Sequence, residues 1–140
     1  MTDEVSMLDI NFDEVYDFEL LPDGEEVELR IARAEVVGKK ANEEEKMLHV
    51  VLEDPGNPKV DDIHLYMPIP SAEMRSSEPK RANKMLRRIQ QFYETFDIDT
   101  SQPVVLSDII GNTGYCIVGV EEAQGEFGER NYIRSFVKRA

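Results

Sequence analysis

The 140-residue chain is 41% apolar and 32% charged, a composition that folds as one domain with a real core rather than as a disordered segment. It offers no run of roughly 18 apolar residues to span a bilayer, and Met1-Thr2-Asp3-Glu4 lacks the basic start and apolar run of a secretory signal, so a cytoplasmic protein without membrane association is expected. The formal net charge of −13 argues at first against a nucleic-acid partner, whose phosphates want positive surface.

The charge is unevenly spread, and that weakens the objection. Residues 1–28 hold eleven acids and no Lys or Arg, whereas the other 112 residues set 18 acids against all 16 basic side chains. An acidic leader therefore precedes a nearly neutral body. Residues 1–11 read as a partly disordered leader and 12–140 as a single domain. Phe12, Val15, Tyr16, Phe18, Leu20 and Leu21 are interleaved with the acids, so part of the leader is expected to pack on the body. The leader either keeps the protein soluble, contacts a basic partner, or competes with an anionic ligand for a basic groove.

Leu21-Pro22-Asp23-Gly24 is a turn signal, after which Val27, Leu29 and Ile31 alternate with charged residues as in a strand. The alternation slips by one and resumes at Ala32, Ala34 and Val36, the signature of a β-bulge that bends a strand. A polar connection, Gly38 to Glu45, leads to a second strand over Met47–Leu52. Ile63, Leu65 and Met67 mark a third, which Pro68 and Pro70 should stop. One amphipathic helix follows. Ser77 is its expected N-cap, Pro79 lies in its first turn, and Ala82, Met85, Leu86, Ile89, Phe92, Tyr93 and Phe96 form one apolar stripe. Leu106 to Asn112 reads as a short turn closed by Gly111. A fourth strand is expected over Thr113–Glu122 and a fifth over Arg130–Lys138, joined through Gly125-Glu126-Phe127-Gly128. Three strands, a helix and two strands suit a mainly β five-stranded OB-fold barrel with the helix between strands 3 and 4. An open α+β sheet is the alternative.

No catalytic motif is present: neither Gly-x-Ser-x-Gly, a phosphate loop, Gly-x-Gly-x-x-Gly nor His-Glu-x-x-His occurs. The reading is therefore of a protein that is not an enzyme and carries no cofactor or metal. The single cysteine, Cys116, sits among apolar neighbours and reads as a small buried hydrophobe. His49 and His64 fall on strands and read as surface or groove histidines rather than metal ligands.

Basic and aromatic residues interleave on the strands. Arg130, Tyr132, Arg134 and Phe136 share one parity, opposite Ile133 and Val137. Tyr66 shares a face with His64, and the first strand with its loop supplies Arg30, Arg33, Lys39 and Lys40. Single-strand binders combine cations that track phosphates with aromatic faces that stack bases. Aromatic residues in strands also pack across the sheet without touching a ligand. The helix carries a second basic patch, Lys80, Arg81, Lys84, Arg87 and Arg88, which its N-terminal dipole does not favour. Nucleic acid, the acidic leader, or a second subunit's leader would hold these cations.

Four segments carry a resemblance: Leu21-Pro22-Asp23-Gly24-Glu25, Lys46-Met47-Leu48-His49-Val50, Leu106-Ser107-Asp108-Ile109-Ile110-Gly111 and Gly128-Glu129-Arg130-Asn131-Tyr132-Ile133. With these the chain resembles, from about Phe12 onward, a family of small bacteriophage proteins of replication and recombination, regarded as OB-fold single-stranded-DNA-binding proteins. The basic helix departs from that family's more variable middle region. The resemblance implies non-catalytic binding of single-stranded DNA, and by motif it carries over only the Glu129-Arg130-Asn131 corner; the interleaved basic and aromatic residues make Arg33, Lys39, Lys40, Tyr66, Arg130, Tyr132 and Arg134 the groove candidates. It also implies that the acidic leader contacts replication or recombination proteins, as acidic tails of such binders do. A protein-interaction module without DNA binding is the alternative, and a homodimer is neither compelled nor excluded.

Overall fold

The computed structural model describes residues 11–39, 42–122 and 128–138, with the side chains of residues 39 and 42–44 excepted. The spine is β1 (Glu26–Lys39), whose first residues pair with β4 (Thr113–Glu122) and whose later ones pair with β2 (Asn42–Glu53). The hand-over occurs at Arg30, and the β1–β2 register shifts between Ile31 and Arg33, so Ala32 is the extra residue the slipped alternation anticipates. A bulge there bends the strand and lets one strand serve two partners at different angles. With β3 (Ile63–Ile69) beside β2 and β5 (Glu129–Phe136) beside β4, the antiparallel order is β3-β2-β1-β4-β5.

The sheet curls until its edge strands β3 and β5 approach one another. No ladder joins them among the described residues, so the architecture is a curled five-stranded sheet rather than the closed barrel expected.

Boundaries also differ from the sequence reading: the fifth strand spans Glu129–Phe136 and stops short of Lys138, and three other differences have clear physical causes. The second strand begins at Asn42 instead of Met47, because the hairpin continues by backbone pairing and needs no apolar alternation there. Pro68 does not stop β3: it lies on an edge strand, opposite Met47, where a missing N–H is tolerated. The single helix is two. Ser71, not Ser77, caps α1 (Ala72–Ser77), its hydroxyl accepting from Met74 N at 3.0 Å. Pro79 then opens α2 (Pro79–Thr95), forcing Glu78 out of helical geometry and breaking the two apart.

The inner face of the sheet carries Leu29, Ile31, Leu48, Val50, Leu52, Ile63, Leu65, Met67, Cys116, Val118 and Ile133, all buried. Phe92 of α2 and Phe96 at its C-cap close over them, their ring centroids 5.0 Å apart. Ala82 is buried as well, but Leu86 is exposed and Ile89 and Tyr93 are only partly buried. The helix end approaches β4 so closely that a Cβ at Gly114 would lie 2.7 Å from Thr95 O, which requires glycine there. Cys116 is fully enclosed, and burial pushes its thiol up to about 12, so it stays protonated and unreactive.

The leader is strapped down by hydrogen bonds rather than by its apolar side chains. Glu19 N donates to Lys59 O at 2.8 Å, and Tyr16 Oη donates to Pro58 O at 3.3 Å. Part of the leader thus packs on the body as expected, with Leu21 buried, but Phe12, Val15, Tyr16, Phe18 and Leu20 remain exposed.

Two side chains then tie the leader to the far end of the chain. Asn131 Oδ1 accepts from Leu21 N at 2.9 Å, while its Nδ2 donates to Leu21 O at 3.0 Å and Gly119 O at 3.1 Å. Asp23 Oδ1 accepts from Val120 N at 3.0 Å and from Arg134 Nη2 at 2.5 Å. Replacing Asn131 by Ala strands three partly buried backbone groups. A net loss of about 1 kcal/mol per hydrogen bond, with a further desolvation cost for any group left unpaired, gives a decrease of about 2–4 kcal/mol. Urea unfolding of Asn131→Ala should show that loss, whereas Arg130→Ala, which removes an exposed ion pair, should stay within about 1 kcal/mol of wild type.

Candidate nucleic-acid interface

On the outer face of β1–β2–β3 the register lays out two neighbouring rungs. One aligns Glu35, His49 and Tyr66, and the other Arg33, Val51 and His64. The odd-numbered residues of β2 and the even-numbered residues of β3 share this face because successive side chains of a strand alternate. His49 lies at its centre, only 7% exposed, although the face is the outer one. Tyr66 covers it: the two rings are parallel within 5°, with centroids 4.2 Å apart. Tyr66 itself is 51% exposed and gives the face a flat aromatic surface.

The two histidines are joined. His49 Nε2 and His64 Nδ1 lie 2.9 Å apart, and His49 Nδ1 is 3.4 Å from Glu35 Oε1. One proton can occupy the space between the rings, with one nitrogen donating and the other accepting. Protonating both facing nitrogens would aim two N–H groups at each other, so the contact is a hydrogen bond only while one of them is unprotonated. Burial depresses the His64 value below the ordinary 6.5, helped by the charges of His49 and Arg33 and opposed by Asp62 and Asp61. Arg33 is exposed and makes no ion pair among the described residues.

The candidates on β5 are engaged locally. Arg130 Nε donates to Glu121 Oε1 at 3.0 Å, and Arg134 bonds Asp23. Tyr132 packs directly on Gly119, where a Cβ would run into the ring. The expected common parity of Arg130, Tyr132, Arg134 and Phe136 is broken, because the β4–β5 register shifts between Ile133 and Ser135 and makes Arg134 a bulge. Phe136 is thereby turned inward against Phe92, at 6.1 Å between centroids. Of the seven groove residues expected, Tyr66 and Arg33 share the outer face of β1–β3, while Arg130, Tyr132 and Arg134 serve the clamp and hairpin. Lys39 belongs to β1 by backbone, but its side chain, like Lys40 as a whole, lies outside the described residues. So do residues 1–10 of the leader and most of the Gly125–Gly128 loop.

The sequence pattern does not reveal the coupled histidines and Glu35 as a unit. Their strand parity is legible, but their pairing depends on the β2–β3 register. Among the described residues no group of three or more His, Cys, Asp or Glu side chains is arranged to hold a metal ion, and no described helix is long and apolar enough to cross a membrane. Searched against protein-family models and against curated proteins, the chain matches none.

The depressed His64 value fixes the direction of a pH effect. A histidine whose folded value lies below its unfolded one binds protons more readily when unfolded, so stability is full near neutrality and falls as pH drops through 6.5. Asp23 acts in a lower window. The Arg134 hydrogen bond and then the Val120 N–H hold its carboxyl below the ordinary 3.8, so its contribution is lost only as pH falls through that range. The Tm should therefore decline between pH 7 and pH 5, and His64→Gln should flatten that part of the profile. An equally steep decline in the variant would remove the histidine pair as its cause.

Proposed function

We propose that the protein binds single-stranded DNA without catalysis and with little sequence preference, in replication or recombination, using an OB-type sheet. The observation that carries this reading is the Tyr66–His49 stack on the outer face of β2–β3, with Arg33 beside it and free of ion pairs among the described residues. An exposed ring held flat by a partner underneath is ready to stack a base without losing much freedom, and an adjacent guanidinium can meet the phosphate that follows. The strand order supports an OB-type topology: β1 is shared between β2 and β4, and the edges β3 and β5 curl toward each other. Eleven of the 29 acids lie in the first 28 residues, in the leader, the turn at Pro22–Gly24 and the start of β1, and residues 29–140 set 18 acids against 16 bases, so the charge of −13 is not centred on β2–β3. The acidic leader, anchored from Tyr16 to Leu21, is a contact for replication or recombination proteins in this scheme.

Titration with a labelled oligo-dT at two salt concentrations tests the proposal. Binding should weaken as salt rises, and Tyr66→Ala should lower affinity by roughly tenfold, since one stacked base is worth about 1–3 kcal/mol. Arg33→Ala should weaken binding and reduce its salt dependence. No binding at low salt would sink the proposal.

A second reading has one observation behind it. Arg30, Arg81, Arg130 and Arg134 are each tied to a carboxylate, while Phe12, Tyr16 and Phe18 stand exposed on an acidic segment. That combination suits a protein-interaction module. A full-length chain that retains a replication protein but not oligo-dT would favour it.

A further inference from the structure

Among the described residues, the helical cations expected to need a partner find no carboxylate for most of their number. A cleft of about 490 Å³ opens between α2 and β5, its rim carrying Arg87 and Arg88 from the helix and Arg134, Ser135, Phe136 and Lys138 from the strand and its end. Glu94 is the one carboxylate among the described residues of its lining. Arg134 is already committed to Asp23, but Arg87, Arg88 and Lys138 form no ion pair among the described residues.

In a chain with 29 acids against 16 bases, three cations converge on a cleft whose described lining offers one carboxylate, Glu94, and none of the three is ion-paired with it. Arg88 is also held in place. Its guanidinium carbon lies 5.3 Å from the centroid of Phe136, and Phe136 packs in turn on Phe92 of the core. A cation over an aromatic face keeps its N–H edges available for an oxygen ligand while losing little freedom on binding. Along the same helix, Lys80 and Lys84 lead toward Arg87 at spacings of four and three residues, which puts them on one side of α2. At about 1.5 Å per residue the row runs some 10 Å before it reaches the cleft. A row of that length fits consecutive charges on a strand better than one small anion.

We infer that the α2–β5 cleft, with the Lys80–Lys84–Arg87 row leading to it, is a phosphate-binding track for the backbone of a single-stranded nucleic acid, separate from the base-stacking face at Tyr66. The choice of nucleic acid as the phosphate source rests on the function proposed above, whereas the phosphate chemistry of the cleft rests on its own residues. The separation has a chemical basis: the Phe136 face is occupied by Arg88, so the cleft offers charge and no free aromatic surface, while the other face offers the exposed Tyr66 ring with a single guanidinium, Arg33, beside it.

The full-length protein, isotopically labelled for NMR, should be titrated in parallel with inorganic pyrophosphate and with a dT oligonucleotide. The arginine Nε–H signals of Arg87 and Arg88 and the backbone of residues 135–138 report the cleft; the Tyr66 ring reports the other face. Both probes should move the cleft signals, and the oligonucleotide alone should move Tyr66. In salt titrations with the oligonucleotide, the charge-reversed pair Arg87→Glu and Lys138→Glu should flatten the slope of log K against log salt by about 1.4, at about 0.7 for each single-strand phosphate that is no longer neutralised. Tyr66→Ala should lower affinity with that slope unchanged.

Oligonucleotide binding at Tyr66 with a silent cleft and an unchanged slope overturns the track and leaves the proposed function standing. Cleft signals that move with the oligonucleotide while Tyr66 stays silent support the track and overturn stacking at Tyr66. A response to pyrophosphate alone overturns the nucleic-acid source and assigns the cleft to a small phosphate compound. Silence toward both probes overturns the track and the proposed function together.

Discussion

The two-way hydrogen bonding between Asn131 and the backbone of Leu21 is the constraint on which much of the remaining geometry depends. It joins residues 110 apart and brings the end of the acidic leader against the outer hairpin of β4 and β5. A side-chain amide can do this because it supplies a donor and an acceptor together and so pairs with a peptide unit as a neighbouring strand would. Its third bond, to Gly119 O, draws β4 into the same junction. Asp23 repeats the logic one turn on, receiving Val120 N and Arg134 at a single oxygen. Held at this corner, β1 begins in register with β4, and its bulge at Ala32 then delivers it to β2.

That corner explains why part of the charge on β5 is spent on structure. Arg130 and Arg134 read from the sequence as free cations on a strand, yet each neutralises a carboxylate beside the clamp. Among the described residues, the cations without an ion pair include Arg33 on the outer face of β1, and Arg87, Arg88 and Lys138 at the α2–β5 cleft. Polar chemistry is thus divided between a flat, aromatic face with a shared histidine proton and a charged cleft with its one aromatic ring covered. The division follows from the curl of the sheet, which turns the outer face of β2–β3 to solvent while α2 packs along β3 and β5.

Much of the fold is legible in the residue pattern because its determinants are local. Alternation places β1, β3 and β4, the slip at Ala32 marks the bulge, and the apolar neighbours of Cys116 foretell its burial. Where the pattern misleads, a backbone or edge effect outweighs hydrophobic periodicity. Pro68 survives in β3 because an edge strand has one side with no partner to pair. The helix divides at Glu78 because Pro79 starts a new helix better than it continues an old one. The exposed Phe12, Tyr16 and Phe18 show that interleaved apolar residues do not by themselves secure burial when the segment is held through its backbone.

The candidate site divides along the same line. Residue order alone puts Tyr66 and His64 on one face, a basic helix after the third strand, and the acid ahead of the domain. The folded chain is needed to join His49 and His64 through one proton across 2.9 Å, to lay Tyr66 over His49, and to make Arg134 a bulged, ion-paired residue. It also brings Arg87 and Arg88 to the same cleft as Lys138. Periodicity states which way a side chain points relative to its neighbours in the chain. Inter-strand register, the position of a bulge and the docking of a helix are set by interactions between distant residues, and those interactions determine which outward-pointing groups meet.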